Sequence, residues 1–234
     1  MNLSSFAQQV SFEGVLIYGR KFYNNSKRID TVDPNIPPAI SYTVKGNLTL
    51  AEISTEKDFM TAMNYSVIVD SEKKEATMLA RIANQKMAVK FEPSFFEQKH
   101  LYSVVSANDD RTRVIAGLNC VLGYALMESE FGTVDSMRVW YTLDYQTIPY
   151  LFETSGAPGL IVSMQQDDVS YWELQEIKSA PVDSLAFSIP SEYYPVTQNE
   201  LQDFISTMDQ LEIEEELDPM EKRGNEITHE EEED

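Results

Sequence analysis

The sequence predicts a mainly β protein, an antiparallel sheet or open barrel packed on a C-terminal helix. Three observations carry the prediction. Apolar and polar residues alternate with a period of two through most of the chain, and turn-forming clusters interrupt that alternation at short intervals. One stretch near the C-terminus then changes to helical spacing behind a capping signal.

Phe12, Gly14, Leu16 and Tyr18 fall on one face of a first strand, and Ile40, Tyr42 and Val44 on one face of a second. Tyr65, Val67 and Val69 continue the pattern, followed by Met87, Val89 and Phe91, and Met137, Val139 and Tyr141 alternate with Arg138, Trp140 and Thr142. Successive side chains of a strand point to opposite faces, so each apolar set can meet a core while its neighbours face water. The runs are separated by "DPNIPP" at 33 to 38, "DSEKKE" at 70 to 75, "ANDDR" at 107 to 111 and "QQDD" at 165 to 168. In "SGAPGLIVSM", Pro158 fixes its own φ and Gly159 is expected at a positive one, which turns the chain before Leu160, Val162 and Met164 alternate. "QQDD" then closes a hairpin onto Val169 to Ile177. No helix follows the glycine, so no phosphate cradle is expected. Roughly ten short strands follow from this spacing.

Two helices are predicted. Thr197 and Glu200 match a capping box, and Leu201, Phe204, Ile205 and Met208 follow at helical spacing, which gives a helix over 197–210 whose apolar face docks on the sheet. Thr55 to Met63 carries a weaker pattern, with Asp58 three residues after Thr55 and then Phe59, Met60 and Met63. An irregular crossover fits that segment equally.

A chain of 234 residues can bury about 70% of the surface its unfolded form exposes, and 42% hydrophobic and 11% aromatic content is too apolar for a disordered protein. The chain divides into a leader over 1–9, one β-rich domain over 10–212 and an acidic tail over 213–234. The tail holds eleven acids against two bases, with Pro219 and Gly224, so self-repulsion is expected to keep it extended. The leader, "LSSFAQ" before "QVSFEGV", resembles the small-residue end of a secretory signal. A mobile polar leader is the alternative.

A net charge of −21 disfavours nucleic acid and anionic lipid surfaces, because both are held by clustered Lys and Arg. No run approaches the ~20 apolar residues of a transmembrane helix. The single cysteine, Cys120 in "GLNCVLGYAL", excludes an internal disulfide and is expected to be a buried, apolar thiol. With only His100 and His229 in the chain, a nucleophilic triad or a multi-histidine metal site would rest on His100 alone. Nucleophile-elbow, phosphate-loop and dinucleotide motifs do not occur. Glu128 and Glu130 share a strand face as two solvated acids, and "ANDDR" lacks the spacing of a calcium loop. The reading is of a non-enzymatic protein, with no catalytic residue, metal or cofactor assigned.

"GAPGLIVSM" resembles the Gly-Leu-Pro-Gly-Leu-Ile signature of the GLPGLI family and of related Bacteroidetes-type families of unknown function, with Ala157 in place of its leucine. "RVIAGLNCVLGYAL", "MRVWYTLDY" and "LAFSIPSEYYPVT" are similar to the strands and closing segment around that signature, from Arg113 to Thr197, and "FEGVLIY" to its start. Some of these families are grouped with the lipoprotein-carrier fold. The resemblance therefore implies a strongly curved antiparallel sheet or half-open barrel around a C-terminal helix, with a concave face that takes acyl chains. It also implies export, to the periplasm or outer membrane of a Gram-negative bacterium.

On this reading the protein binds a lipid or other hydrophobic ligand on the concave face. Trp140, Tyr124, Met87 and Phe91 are candidates to line the site, with Trp172 at its rim; the same residues could fill an ordinary core. Two further functions stay open. One is a module presenting a sheet edge or the acidic tail to a protein partner, which an uncovered patch at Tyr193, Tyr194 or Trp172 would favour. The other is a hydrolase built on two carboxylates.

Overall fold

Two long runs of antiparallel hairpins meet on one shared strand. The computed structural model describes residues 10–24, 27–29, 39–54, 64–82, 84–91, 96, 101–107, 111–128, 132–165 and 170–207. The predicted leader and tail, the segment Thr55 to Met63, both histidines, Glu130 and Met208 lie outside the described residues. In chain order the strands are β1 (Glu13–Asn24), β2 (Lys27–Ile29), β3 (Ala39–Lys45), β4 (Leu48–Ser54), β5 (Asn64–Asp70), β6 (Glu75–Ile82) and β7 (Gln85–Lys90). They continue as β8 (Tyr102–Ser106), β9 (Thr112–Ile115), β10 (Leu118–Glu128), β11 (Val134–Thr142), β12 (Thr154–Ser155), β13 (Leu160–Gln165), β14 (Ser170–Ser179) and β15 (Tyr194–Val196). Residues 198–207 form the helix α1.

All fifteen strands belong to one open, curved sheet. β1 lies in its middle. On one side β3 to β7 follow as a meander in sequence order, and β15 adds in parallel beyond β7. On the other side come β14, β13, β11, β10 and β8, ending at the two-residue β12, which is also parallel. Every other pairing is antiparallel, in agreement with the predicted mainly β sheet and terminal helix.

Residues directly opposite each other across antiparallel strands share a face. The register therefore traces one apolar row over six strands: Leu16, Tyr42, Ala51, Val67, Met78 and Val89. That row is the concave face. On the convex face Ile68, Leu79 and Ala88 are covered by Phe187 and Tyr193.

The segment after β14 supplies both coverings. It is tied at its start by Lys45, whose ammonium donates to the Val182 carbonyl at 2.6 Å, and by Glu13, which accepts from the Val182 N–H at 2.8 Å. It then crosses the convex face, pairs with β7 as β15 and returns as α1 on the concave side. There Leu201, Phe204 and Ile205 pack against Ile82, Met87 and Val89. The helix starts with the expected capping box. The Thr197 N–H donates to Glu200 at 2.7 Å, and the Glu200 N–H donates to the Thr197 hydroxyl at 3.2 Å.

The turn before β13 differs from expectation in its chemistry. Gly156, at φ 72°, takes the left-handed conformation, and Gly159 does not. Gly159 is needed for space: a Cβ there would lie 2.0 Å from the Thr142 carbonyl oxygen. The glycine lets β13 close onto the end of β11, where the register slips between Trp140 and Tyr141.

Candidate functional site

The concave face is only partly filled by α1. Beside the helix the sheet curves around a half-open cavity of about 1020 Å³, at the upper end of the roughly 300–1,000 Å³ typical of ligand pockets. Its wall is the inward set of several strands: Tyr42 from β3, Ala51 from β4, Val67 from β5 and Met78 from β6, with Met137, Met164 and Trp172 from the other half of the sheet. The pairing explains why they converge. Tyr42, Ala51, Val67 and Met78 lie in the apolar row, Arg20 faces Trp172 across β1 and β14, and Trp172 faces Met164 across β14 and β13.

One part of the wall is not sheet. Between β11 and β12 the chain makes a tight 3-10 turn, Leu151–Glu153, and Tyr150 just before it, Phe152 and Glu153 have φ of 62°, 53° and 56°. Left-handed backbone at non-glycine residues costs on the order of 1–3 kcal/mol each and persists only where the surroundings fix it. Here the anchors are Leu151, 1% exposed, and the buried Thr154, whose hydroxyl donates to the Leu151 carbonyl at 2.6 Å. The turn carries Phe152 onto Tyr18 and Tyr42, ring centroids 4.9 and 5.5 Å away in edge-to-face contact, and puts Glu153 in the cavity wall.

Polar groups are few and placed among rings. Tyr18 donates from its buried hydroxyl to the Ile161 carbonyl at 2.6 Å. Burial raises Tyr18 well above the ordinary tyrosine range and raises Tyr42 strongly, the latter opposed by a hydrogen bond from the Phe152 backbone. Burial also raises Tyr65 and Tyr102, and the Glu153 charge pushes Tyr42, Tyr65 and Tyr102 further in the same direction. Tyr102 donates to Asp135 at 3.4 Å. Arg20 lies 5.2 Å from the Phe22 ring centroid and 5.8 Å from that of Trp172, and donates to the Ser170 hydroxyl at 3.0 Å. These tyrosines are protonated at neutral pH, so among the described residues the wall offers neutral hydroxyls, the Gln165 amide, two acidic side chains and one guanidinium.

Of the residues expected to line a site, Phe91 and Trp172 do so, and Trp172 is 6% exposed, set within the wall. Met87 is on the concave face but beneath α1, at 2% exposure. Trp140 and Tyr124 are not among the lining residues. Trp140 pairs with Leu122 and Ser163 on the face opposite Val139 and Met164, and Tyr124 pairs with Arg138 on that same outer face and accepts a hydrogen bond from Arg111 at 3.3 Å. Sequence reading missed Tyr42, Phe152 and Glu153. Alternation pointed to the inward side of β3, but nothing in "PYLFET" signals a turn that aims at the cavity.

Cys120 is 1% exposed, and its thiol is pushed up to about 11, by burial first. Among the described residues no group of three or more His, Cys, Asp or Glu could hold a metal ion. Among the same residues no helix is long and apolar enough to cross a membrane.

No protein-family model and no curated protein matches the sequence. Solved structures do share the architecture. The chain is similar to PNGF-II in its P21 crystal form, with a TM-score of 0.53 and 14% identity over 82% of this chain and 33% of that one. It is similar to PNGF-II in a C2 form, with a TM-score of 0.52 and 14% identity over 82% and 32% of the two chains. The chain thus spans about a third of the length of PNGF-II, and at this identity the likeness is one of fold.

Proposed function

We propose that the protein is a non-enzymatic binder of an apolar or amphipathic ligand, which it holds on the concave face of the sheet. The observation that carries this reading is the cavity of about 1020 Å³ beside α1, walled by a continuous apolar row and a ring-rich turn. Burying an alkyl chain against such a wall gains about 0.8 kcal/mol per CH₂ and needs no specific polar partner. The turn that completes the wall is itself costly in backbone conformation. A chain that needed only a filled core would have no use for that cost. The resemblance of "GAPGLIVSM" and its flanking strands to the GLPGLI family supports a place in the cell envelope, periplasmic or at the outer membrane of a Gram-negative bacterium.

The two tryptophans make the test direct. Trp172 lines the cavity and Trp140 lies on the outer face. Titration of a neutral single-chain amphiphile such as dodecyl maltoside, below its micelle-forming concentration, should shift Trp172 emission in Trp140→Phe and leave the emission of Trp172→Phe unchanged. It should also raise the melting temperature, since a ligand that binds only the native state stabilises it. A second reading, a protein-interaction module, draws on Leu185, Ile189 and Tyr194, which are 74%, 50% and 42% exposed on the segment that leads to and enters β15. If neither emission nor melting responds to any amphiphile, the interaction reading takes its place.

A further inference from the structure

Resting on the binding role proposed above, we infer that the cavity takes an amphiphile with a cationic head, an amine or a quaternary ammonium, seated at Glu153 among the rings of Tyr42, Tyr65 and Tyr102. The first support is position. Glu153 is one of three non-glycine residues held left-handed in one short turn, and that turn, anchored by Leu151 and Thr154, places this exposed residue in the cavity's lining. The second is company. Tyr42, Tyr65 and Tyr102 line the same cavity, and the Glu153 charge acts on all three, so the carboxylate lies within electrostatic reach of each.

The balance of charge points the same way. Asp135 adds a second carboxylate to the wall, beside the Tyr102 hydroxyl. Arg20, the one base in the lining among the described residues, is directed at the Phe22 and Trp172 rings and at Ser170. A carboxylate or sulfate head entering here would meet two acids against one engaged guanidinium. A cation at this mouth meets two exposed carboxylates with tyrosine rings close by, groups that attract positive charge.

The experiment uses the full chain carrying Trp140→Phe, so that Trp172 alone reports. Three probes with the same twelve-carbon tail are titrated below their micelle-forming concentrations: dodecyltrimethylammonium, dodecyl maltoside and dodecyl sulfate. The cationic probe should bind about tenfold more tightly than the maltoside, equivalent to about 1.4 kcal/mol, and the sulfate more weakly than either. Glu153→Gln should abolish the cationic advantage and leave maltoside binding unchanged. Glu128→Gln, exposed at the end of β10 and on the sheet face opposite Asp135, controls for general attraction to an acidic protein and should retain the advantage. Should Glu153→Gln not fold, Asp135→Asn is the second variant and should reduce the advantage. Equal affinity for the three probes, or an advantage that survives Glu153→Gln or falls equally in Glu128→Gln, overturns the head-group inference alone. Failure of all three probes to bind overturns it together with the binding role.

Discussion

Tyr18 combines full burial with one hydroxyl and one acceptor. β13 pairs with β14 only from Ser163 to Gln165, and the Tyr18 hydroxyl reaches over β14 to the Ile161 carbonyl just outside that pairing. Tyr18→Phe should therefore leave a buried acceptor without its donor and cost about 1–3 kcal/mol at pH 7, read as a lower urea midpoint. The same group links stability to alkaline pH. A tyrosine whose native value is raised contributes stability that is complete below its unfolded value of 10.0 and is lost as pH rises through the native one. Cys120, raised from 9.0 to about 11, starts that decline earlier, between those two values. Stability should thus hold up to about pH 9 and fall more steeply above 10, with Tyr18→Phe falling less steeply there than the parent protein; parallel slopes would show that Tyr18 does not titrate on unfolding. At this scale sequence reading placed Cys120 correctly in the core but mistook the reason for Gly159. Both a positive φ and a close approach leave the same letter in the sequence, and only the Thr142 carbonyl distinguishes them.

Elements were most legible where a local signal stood beside a periodic one. The capping box at Thr197 and Glu200 is written in four consecutive residues, and its two reciprocal hydrogen bonds are present. Thr197→Ala should destabilise the fold by about 1 kcal/mol through the lost cap. Glu200 is held below the ordinary carboxylate value, first by the Thr197 backbone N–H and then by its hydroxyl. Its contribution is complete above 4.5 and is lost as pH falls through the lowered native value, so Glu200→Ala should differ from the parent above pH 4.5 and converge with it in acid. Strands were legible as alternations but not as faces. Period two separates Met137, Val139 and Tyr141 from Arg138 and Trp140, yet which set turns inward depends on pairing partners far along the chain. That is why Trp140 and Tyr124, expected in the wall, stand on the outer face, whereas Trp172, expected at the rim, lines the cavity. The turn over Leu151–Glu153 had no signal at all, because left-handed Tyr, Phe and Glu follow from tertiary anchoring and not from local preference.

Across the whole molecule, β1 is the strand on which both meanders depend. It pairs with β3 over Glu13 to Gly19 and with β14 over Gly14 to Phe22, and its concave side chains Leu16 and Tyr18 are fully buried. Local opening proceeds from elements with few buried contacts, so hydrogen exchange should be slowest at the amides of Leu16 to Tyr18 and fastest at the two-residue β12 and at β15. Uniform protection from centre to edge would contradict a sheet organised around β1. The antiparallel sheet was predictable from strand spacing and turn residues. The placing of an early strand at the sheet's centre was not, since β1 and β14 meet across some 160 positions of chain with no shared local pattern.

That central position also sets an order of events during synthesis. β1 emerges from the ribosome with its partners β2 and β3 close behind, and the meander through β7 can assemble on it at once. The other neighbour, β14, is made only after the whole second meander has begun to form. Until then one side of β1 is an unpaired strand edge at the heart of a half-built sheet, carrying Leu16, Ile17 and Tyr18, the kind of template on which nascent chains pair with one another. The two halves of the sheet join only when β14 arrives, and that closure is also what buries Tyr18 against Ile161. The nascent chain is therefore most exposed to misassembly in the interval between β7 and β14, which is where a chaperone holding it unfolded would matter most.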